Sequence, residues 1–183
     1  MLENRKSFHY YLGDNMKDVT IGNQQVTDGE LGWLAGIYDG EGSFSLKPRK
    51  ANMDFPEGGV NLSIEMVNTD TAIINKVDLI LSKLKVSHYI SERVHNIWKT
   101  RYDISVKKFS EAQRLLTIIK PFLVGKIGQA ELLLRFIEKR IGLPKNTKYT
   151  QEDVQIVNEY REHFSRTREP QRLHAQHSGN ISG

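Results

Sequence analysis

The 183-residue chain contains no cysteine, which excludes a disulfide framework, a thiolate metal site and a cysteine nucleophile. No apolar stretch approaches the roughly 20 residues that a membrane span needs. The start, Met1-Leu2-Glu3-Asn4-Arg5, does not resemble a secretory signal. The sequence therefore reads as a soluble intracellular protein, of cytoplasm, nucleoid or organelle. Neither sign of charge dominates: 26 basic and 22 acidic residues leave a net charge of +4. The basic residues are nonetheless clustered. Lys47, Arg49 and Lys50 come without an acid between them, and Arg93, Lys99, Arg101, Lys107 and Lys108 surround only Asp103. Such local excess suits a polyanion, although a solvated face has the same composition.

What the chain does have is one unusual stretch, Leu31-Gly-Trp-Leu-Ala-Gly-Ile-Tyr-Asp-Gly-Glu-Gly42. Thr27 and Glu30 form a capping-box signature, so a helix is predicted to begin there. Gly32, Gly36 and Gly40 then fall on one helical face. Two glycines inside a helix cost about 2 kcal/mol relative to alanine, and close approach of a second helix would offset that loss. Asp39 and Glu41 stand near the C-terminal end of this helix, where the macrodipole disfavours anions. A bound cation would reverse the penalty; so would plain solvation reduce it.

After Ser43 the period changes to two. Phe44, Leu46 and Pro48 alternate with Ser45, Lys47 and Arg49, and Pro48 points to an edge position. Residues 54–59 read as a turn. Val60, Leu62, Ile64 and Met66 alternate with Asn61, Ser63 and Glu65, completing a hairpin. Asn68 or Thr69 is the expected cap of a helix through Ile73, Val77, Ile80, Leu81 and Leu84. Strands are predicted over His88 to Val94 and Lys99 to Lys107, with Asn96 as a turn residue. Ser110 opens a helix that stops at Pro121. Helices follow over 127–141 and from Thr150, where Asp153 completes a second capping signature. Residues 1–26 read as an N-terminal extension, 27–164 as the domain, and 165–183 as a flexible basic tail. The order implies an α+β fold, a four-stranded antiparallel sheet with helices on one face and a wet, polar opposite face.

Leu34-Ala-Gly-Ile-Tyr-Asp-Gly-Glu-Gly42 closely resembles the LAGLIDADG motif of homing endonucleases, and the αββαββα order over residues 27–142 agrees with that fold. The resemblance implies a site-specific double-strand DNA endonuclease, intron-encoded, that leaves 3′ overhangs. Only one motif copy is present. The implied assembly is therefore a homodimer meeting through Gly32, Trp33, Ala35 and Gly36, on a near-palindromic target. By the same resemblance Glu41 and the carbonyl of Gly40 hold Mg2+ or Mn2+. Lys126, within Pro121-Phe-Leu-Val-Gly-Lys-Ile-Gly-Gln129, is the implied catalytic lysine, and Asn68 the implied water-positioning group.

The polar strand phase supplies groove-reading chemistry. Arg49, Arg93 and Arg101 can pair with guanine, Asn61 with adenine, and Glu65 or Asp103 can accept from cytosine. Lys47 and Lys107 suit bases or phosphates. Ser45, Ser63, Tyr89, Ser91, Lys99 and Ser105 complete the expected DNA-binding set. Intron RNA is the alternative partner, since some relatives assist splicing; a catalytically silent DNA-binding protein is the other alternative.

Overall fold

The computed structural model describes residues 26–50, 59–94, 97, 99–144 and 147–164. The expected N-terminal extension, the turn before Gly59, Asn96 and the basic tail fall outside those residues, apart from Val26 and Gly59 themselves. The elements run α1 (Asp28–Glu41), β1 (Gly42–Arg49), β2 (Gly59–Asn68), α2 (Thr71–Lys83), β3 (Tyr89–Arg93), β4 (Arg101–Val106), α3 (Phe109–Ile119), a 3-10 turn (Lys120–Phe122), α4 (Ile127–Arg140) and α5 (Gln151–Phe164).

The capping box at the start of α1 forms as its spacing predicts. The Glu30 amide donates to Thr27 Oγ1 at 3.2 Å, and the Thr27 amide donates to Glu30 Oε2 at 2.9 Å. Lys83 Nζ reaches Glu30 Oε1 at 2.7 Å, tying the start of α1 to the end of α2. That contact with Lys83, with the Thr27 amide second, holds the Glu30 carboxyl below its usual range.

All four strands pair antiparallel in the order β1-β2-β4-β3. β1 is an edge strand, as Pro48 suggested. Its outer side is covered by α5, where the Tyr160 hydroxyl donates to the Phe44 carbonyl. One phase of the sheet is apolar and buried: Phe44 and Leu46, Leu62, Ile64 and Met66, then Ile104 and Val106. Against it pack Leu34 and Tyr38 of α1, Val77 and Leu81 of α2, Leu115 and Ile119 of α3, and Leu133 and Ile137 of α4. This places every helix on one face and leaves the other to solvent, because amphipathic strands can bury only one phase. Among the described residues, no helix is long and apolar enough to cross a membrane.

Three local expectations need correction. α2 is capped by Asp70, whose Oδ1 accepts the Ala72 amide at 2.8 Å; neither Asn68 nor Thr69 does so. Asn68 instead accepts the Asp70 amide at 2.9 Å, in the turn that precedes the cap. α3 begins at Phe109, one residue ahead of Ser110, with Lys108 as a cap that makes no side-chain bond. Lys99 and Lys107 lie outside β4, which covers only Arg101–Val106. The second capping signature forms fully: Asp153 donates its amide to Thr150 Oγ1 and accepts the Thr150 amide.

Candidate functional site

α1 passes into β1 with no residue between them: Glu41 ends the helix and Gly42 begins the strand. The Gly42 amide donates to the Tyr38 carbonyl, and a Cβ at Gly42 would lie 2.6 Å from that oxygen and 2.8 Å from Tyr38 Cα. Only glycine fits, because the obstacle is main chain rather than a movable side chain. Beneath the junction Tyr38 is fully buried, tilted against Phe44 with ring centroids 5.8 Å apart. Burial pushes its phenol pKa up.

Gly40 and Glu41 are exposed at this junction. Among the described residues, Glu41 engages no hydrogen-bond or ion-pair partner. Gly42 is opposite Met66 in the ladder, so the junction stands near the end of β2, which runs on to Asn68. Asp39, two residues before Glu41, is fully committed. Its Oδ2 accepts the Val124 amide at 2.7 Å and its Oδ1 the Lys126 amide at 2.9 Å. Its carbonyl accepts from Lys126 Nζ. Burial raises the Asp39 pKa, but the main-chain N–H groups of Val124, Gly125 and Lys126, aided by the Lys126 charge, outweigh it and hold the carboxyl below its usual range. Of the two carboxylates, then, Glu41 is open to a ligand and Asp39 is not. Lys126 arrives at the same helix end from a segment 87 residues away.

No group of three or more His, Asp or Glu residues gathers to cage a metal among the described residues. The donors that the resemblance names, the Glu41 carboxylate and the Gly40 carbonyl, belong to adjacent exposed residues at the negative end of α1. That set fits magnesium, which keeps much of its shell for water and phosphate oxygens.

The ladder register brings the expected reading residues together on the polar face. Ser43, Glu65, Ser105 and Tyr89 form one row across the whole sheet. Val67, Asp103 and Ser91 form the next, and Arg101 pairs with Arg93 beyond it. Ser45 pairs with Ser63, Lys47 with Asn61 and Arg49 with Gly59.

Within that face two residues depart from expectation. Asp103 and Ser105 are each only 8% exposed, because β4 is a central strand flanked by β2 and β3. Asp103 also lies between two arginines: Arg93 Nε is 2.6 Å from its Oδ2 and Arg101 Nε is 3.4 Å from its Oδ1. Neither contact has hydrogen-bond geometry and Asp103 Oδ2 has no hydrogen-bond partner among the described residues, so the carboxylate serves the two guanidinium groups as a buried counter-charge. Asn68 shares the phase of Met66, on the helix side, and its Oδ1 is occupied by the Asp70 amide. The polar-phase residues at that end of β2 are Glu65 and Val67.

The expected interface on α1 also divides. Ala35 is fully buried in this chain's own core and cannot face outward. Gly32 is covered by Phe122, with a Cβ there 3.9 Å from the ring, and Trp33 is half-buried with Lys76 Nζ 4.1 Å from its ring centroid. Gly36 and Gly40 are the open positions, each with nothing within 4 Å of a Cβ.

The profile of the LAGLIDADG-like domain matches residues 28–139. No curated protein is detectably similar in sequence. Among solved structures, the meganuclease I-SmaMI bound to uncleaveable DNA is similar with a TM-score of 0.56 and 17% identity, over 75% of this chain and 45% of that one. The archaeal intron-encoded homing endonuclease I-Vdi141I complexed with DNA gives a TM-score of 0.52 and 17% identity, over 73% of this chain and 97% of that one. The group I intron-encoded homing endonuclease I-CeuI complexed with DNA gives 0.51 and 15%, over 63% and 57%. These likenesses establish a common fold, and the profile match spans more than half the sequence, through the motif and the complete sheet. On those grounds the chain belongs to the LAGLIDADG-like domain family.

Proposed function

We propose that this protein is a divalent-metal-dependent endonuclease that acts as a homodimer and cuts both strands of a long, near-palindromic DNA duplex. The observation that carries the reading is that Lys126 Nζ bonds the Asp39 carbonyl at the C-terminal end of α1, the helix end that also bears the exposed and unpartnered Glu41, where the polar sheet face begins. A face of that kind suits a DNA groove, and a carboxylate and an ammonium at one helix end suit a scissile phosphate. Glu41 and the Gly40 carbonyl hold the cation, which when bound activates water and stabilises the attacking and leaving oxygens. Lys126 places a positive charge where the phosphate gains negative charge. Arg93 and Arg101, with Asp103 as a shared counter-charge, present donors to bases or phosphates. Selection of cleaved duplexes from a randomised DNA library, with purified protein and magnesium, tests the reading. A long target with two related half-sites is expected; recovery of no cleaved duplex would sink it.

One sheet reads half of such a target. The exposed Gly36 and Gly40 positions are where a second α1 would lie. Gly36→Ala separates the two possibilities by sign. In an isolated chain it stabilises α1 by about 1 kcal/mol, since nothing within 4 Å opposes the added methyl. At a close helix–helix contact the same methyl weakens association. The expected result in sedimentation is a wild-type dimer and a Gly36→Ala protein shifted toward monomer. A wild-type monomer at micromolar concentration would exclude the dimer.

A further inference from the structure

Asp39 is the motif residue left without a part in metal binding, yet it makes the most specific long-range contacts in the site. Its carboxylate receives two amides of one segment, Val124 at 2.7 Å and Lys126 at 2.9 Å. Gly125 lies between them, with a Cβ position only 3.7 Å from Asp39 Oδ1. Lys126 is the N-cap position of α4 and has no side-chain cap of its own. Asp39 therefore supplies an anion at the positive end of α4, where it is favoured. At the same time its main-chain carbonyl, at the negative end of α1, accepts from Lys126 Nζ. A single residue thus grips Lys126 at both its amide and its ammonium. The next two residues along the chain are Gly40 and Glu41.

We infer that Asp39 is a positioning residue for the cleavage reaction: it clamps the Val124–Lys126 segment so that the Lys126 ammonium is held at the C-terminal end of α1, the helix end that carries Glu41. The inference rests on the nuclease reading above, because it is there that Lys126 has a reacting group to serve. Asp39 itself touches neither phosphate nor cation. Misplacement of a charged group by about an ångström is enough to cost a hundredfold in rate, so the clamp has a measurable consequence.

The test is a cycle of Asp39→Ala, Lys126→Ala and the double variant, with single-turnover cleavage in magnesium and DNA binding in calcium. Asp39→Ala is expected to slow cleavage by about a hundredfold with the DNA dissociation constant unchanged. In the Lys126→Ala background it should slow cleavage no further, because both changes remove one function. A purely structural role predicts additive losses, and additivity or full activity of Asp39→Ala overturns the inference. Asp39→Asn, nearly the same in volume, guards against unfolding and should fall between wild type and Asp39→Ala. Hydrogen exchange at the Val124 and Lys126 amides and the Lys126 ε-methylene resonances are followed in the same proteins. If wild-type protein does not cleave DNA, the nuclease reading fails. The clamp then stands only if those signals change in Asp39→Asn, and unchanged signals overturn it too.

Discussion

Glu41→Gln is expected to reduce DNA cleavage at least a hundredfold, while binding of the uncut duplex in calcium stays near wild type. The side chain is exposed and unpartnered, so removing its charge disturbs no folded contact. Glutamine keeps the length and one oxygen but loses the negative charge that a hard cation requires. A loss of several kcal/mol of transition-state stabilisation corresponds to that rate factor or more. Glu41→Asp keeps the charge and shortens the arm by one methylene, and is expected to retain part of the activity. Single-turnover rates over a magnesium titration separate the cases: the glutamine variant should not recover at high metal. Cleavage at the wild-type rate by Glu41→Gln would move the metal site elsewhere.

The largest effect on stability is expected at the far side of the helical layer. Arg140 and Asp153 form a buried ion pair at 3.2 Å, with side chains only 7% and 2% exposed. Arg140 also donates to the carbonyls of Lys148 at 3.0 Å and Thr147 at 2.7 Å, and stacks 4.3 Å from the Tyr149 ring centroid. The Tyr149 hydroxyl accepts the Val60 amide at 3.2 Å, which extends the network to β2. Asp153 caps α5 as well. Asp153→Ala leaves a buried guanidinium without its counter-charge and is expected to cost about 3–5 kcal/mol, a large part of a typical domain's 5–15 kcal/mol. Urea unfolding of Asp153→Ala, Arg140→Met and the double variant tests the coupling. The double variant should lose less than the sum of the singles, because no unpaired charge remains. Strict additivity would mean that the pair contributes nothing as a pair.

These two sites differ in how far the sequence alone disclosed them. The period-two pattern after Ser43 and the capping boxes at Thr27 and Thr150 are local signals, and the corresponding elements form where they predict. What depends on strand order was not legible. Nothing in the periodicity states that β4 is central, so the burial of Asp103 and Ser105 could not be read, nor could the pairing of Asp103 with Arg93 and Arg101. For Asn68 the expected cap of α2 was wrong, because its chemistry suits a cap and a site alike. Counting its phase from Met66 sets it on the helix side, and Asp70 proved the better-placed cap. Ala35 and Gly36 are neighbours that a helix turns to opposite surroundings, and small side chains do not reveal which faces inward. The role of Asp39 depends on contacts with residues 85 and 87 positions away, and no local pattern encodes such a pairing.

On the proposed nuclease reading, the direct passage from Glu41 to Gly42 would also make the molecule a measuring device. The helix end that carries the cutting group and the strand that begins the reading surface share one peptide bond, and Gly42 admits no side chain that could loosen it. A flexible hinge there would let the cut wander relative to the bases contacted. A rigid joint fixes the offset, so the scissile phosphate is set by distance along the duplex and not by the identity of the base beside it. Changing residues on the sheet would then alter which duplex is chosen while leaving the cut at the same count from the axis. Inserting one residue at the joint would disturb both, since a single-residue slip also turns every side chain of β1 to the opposite face.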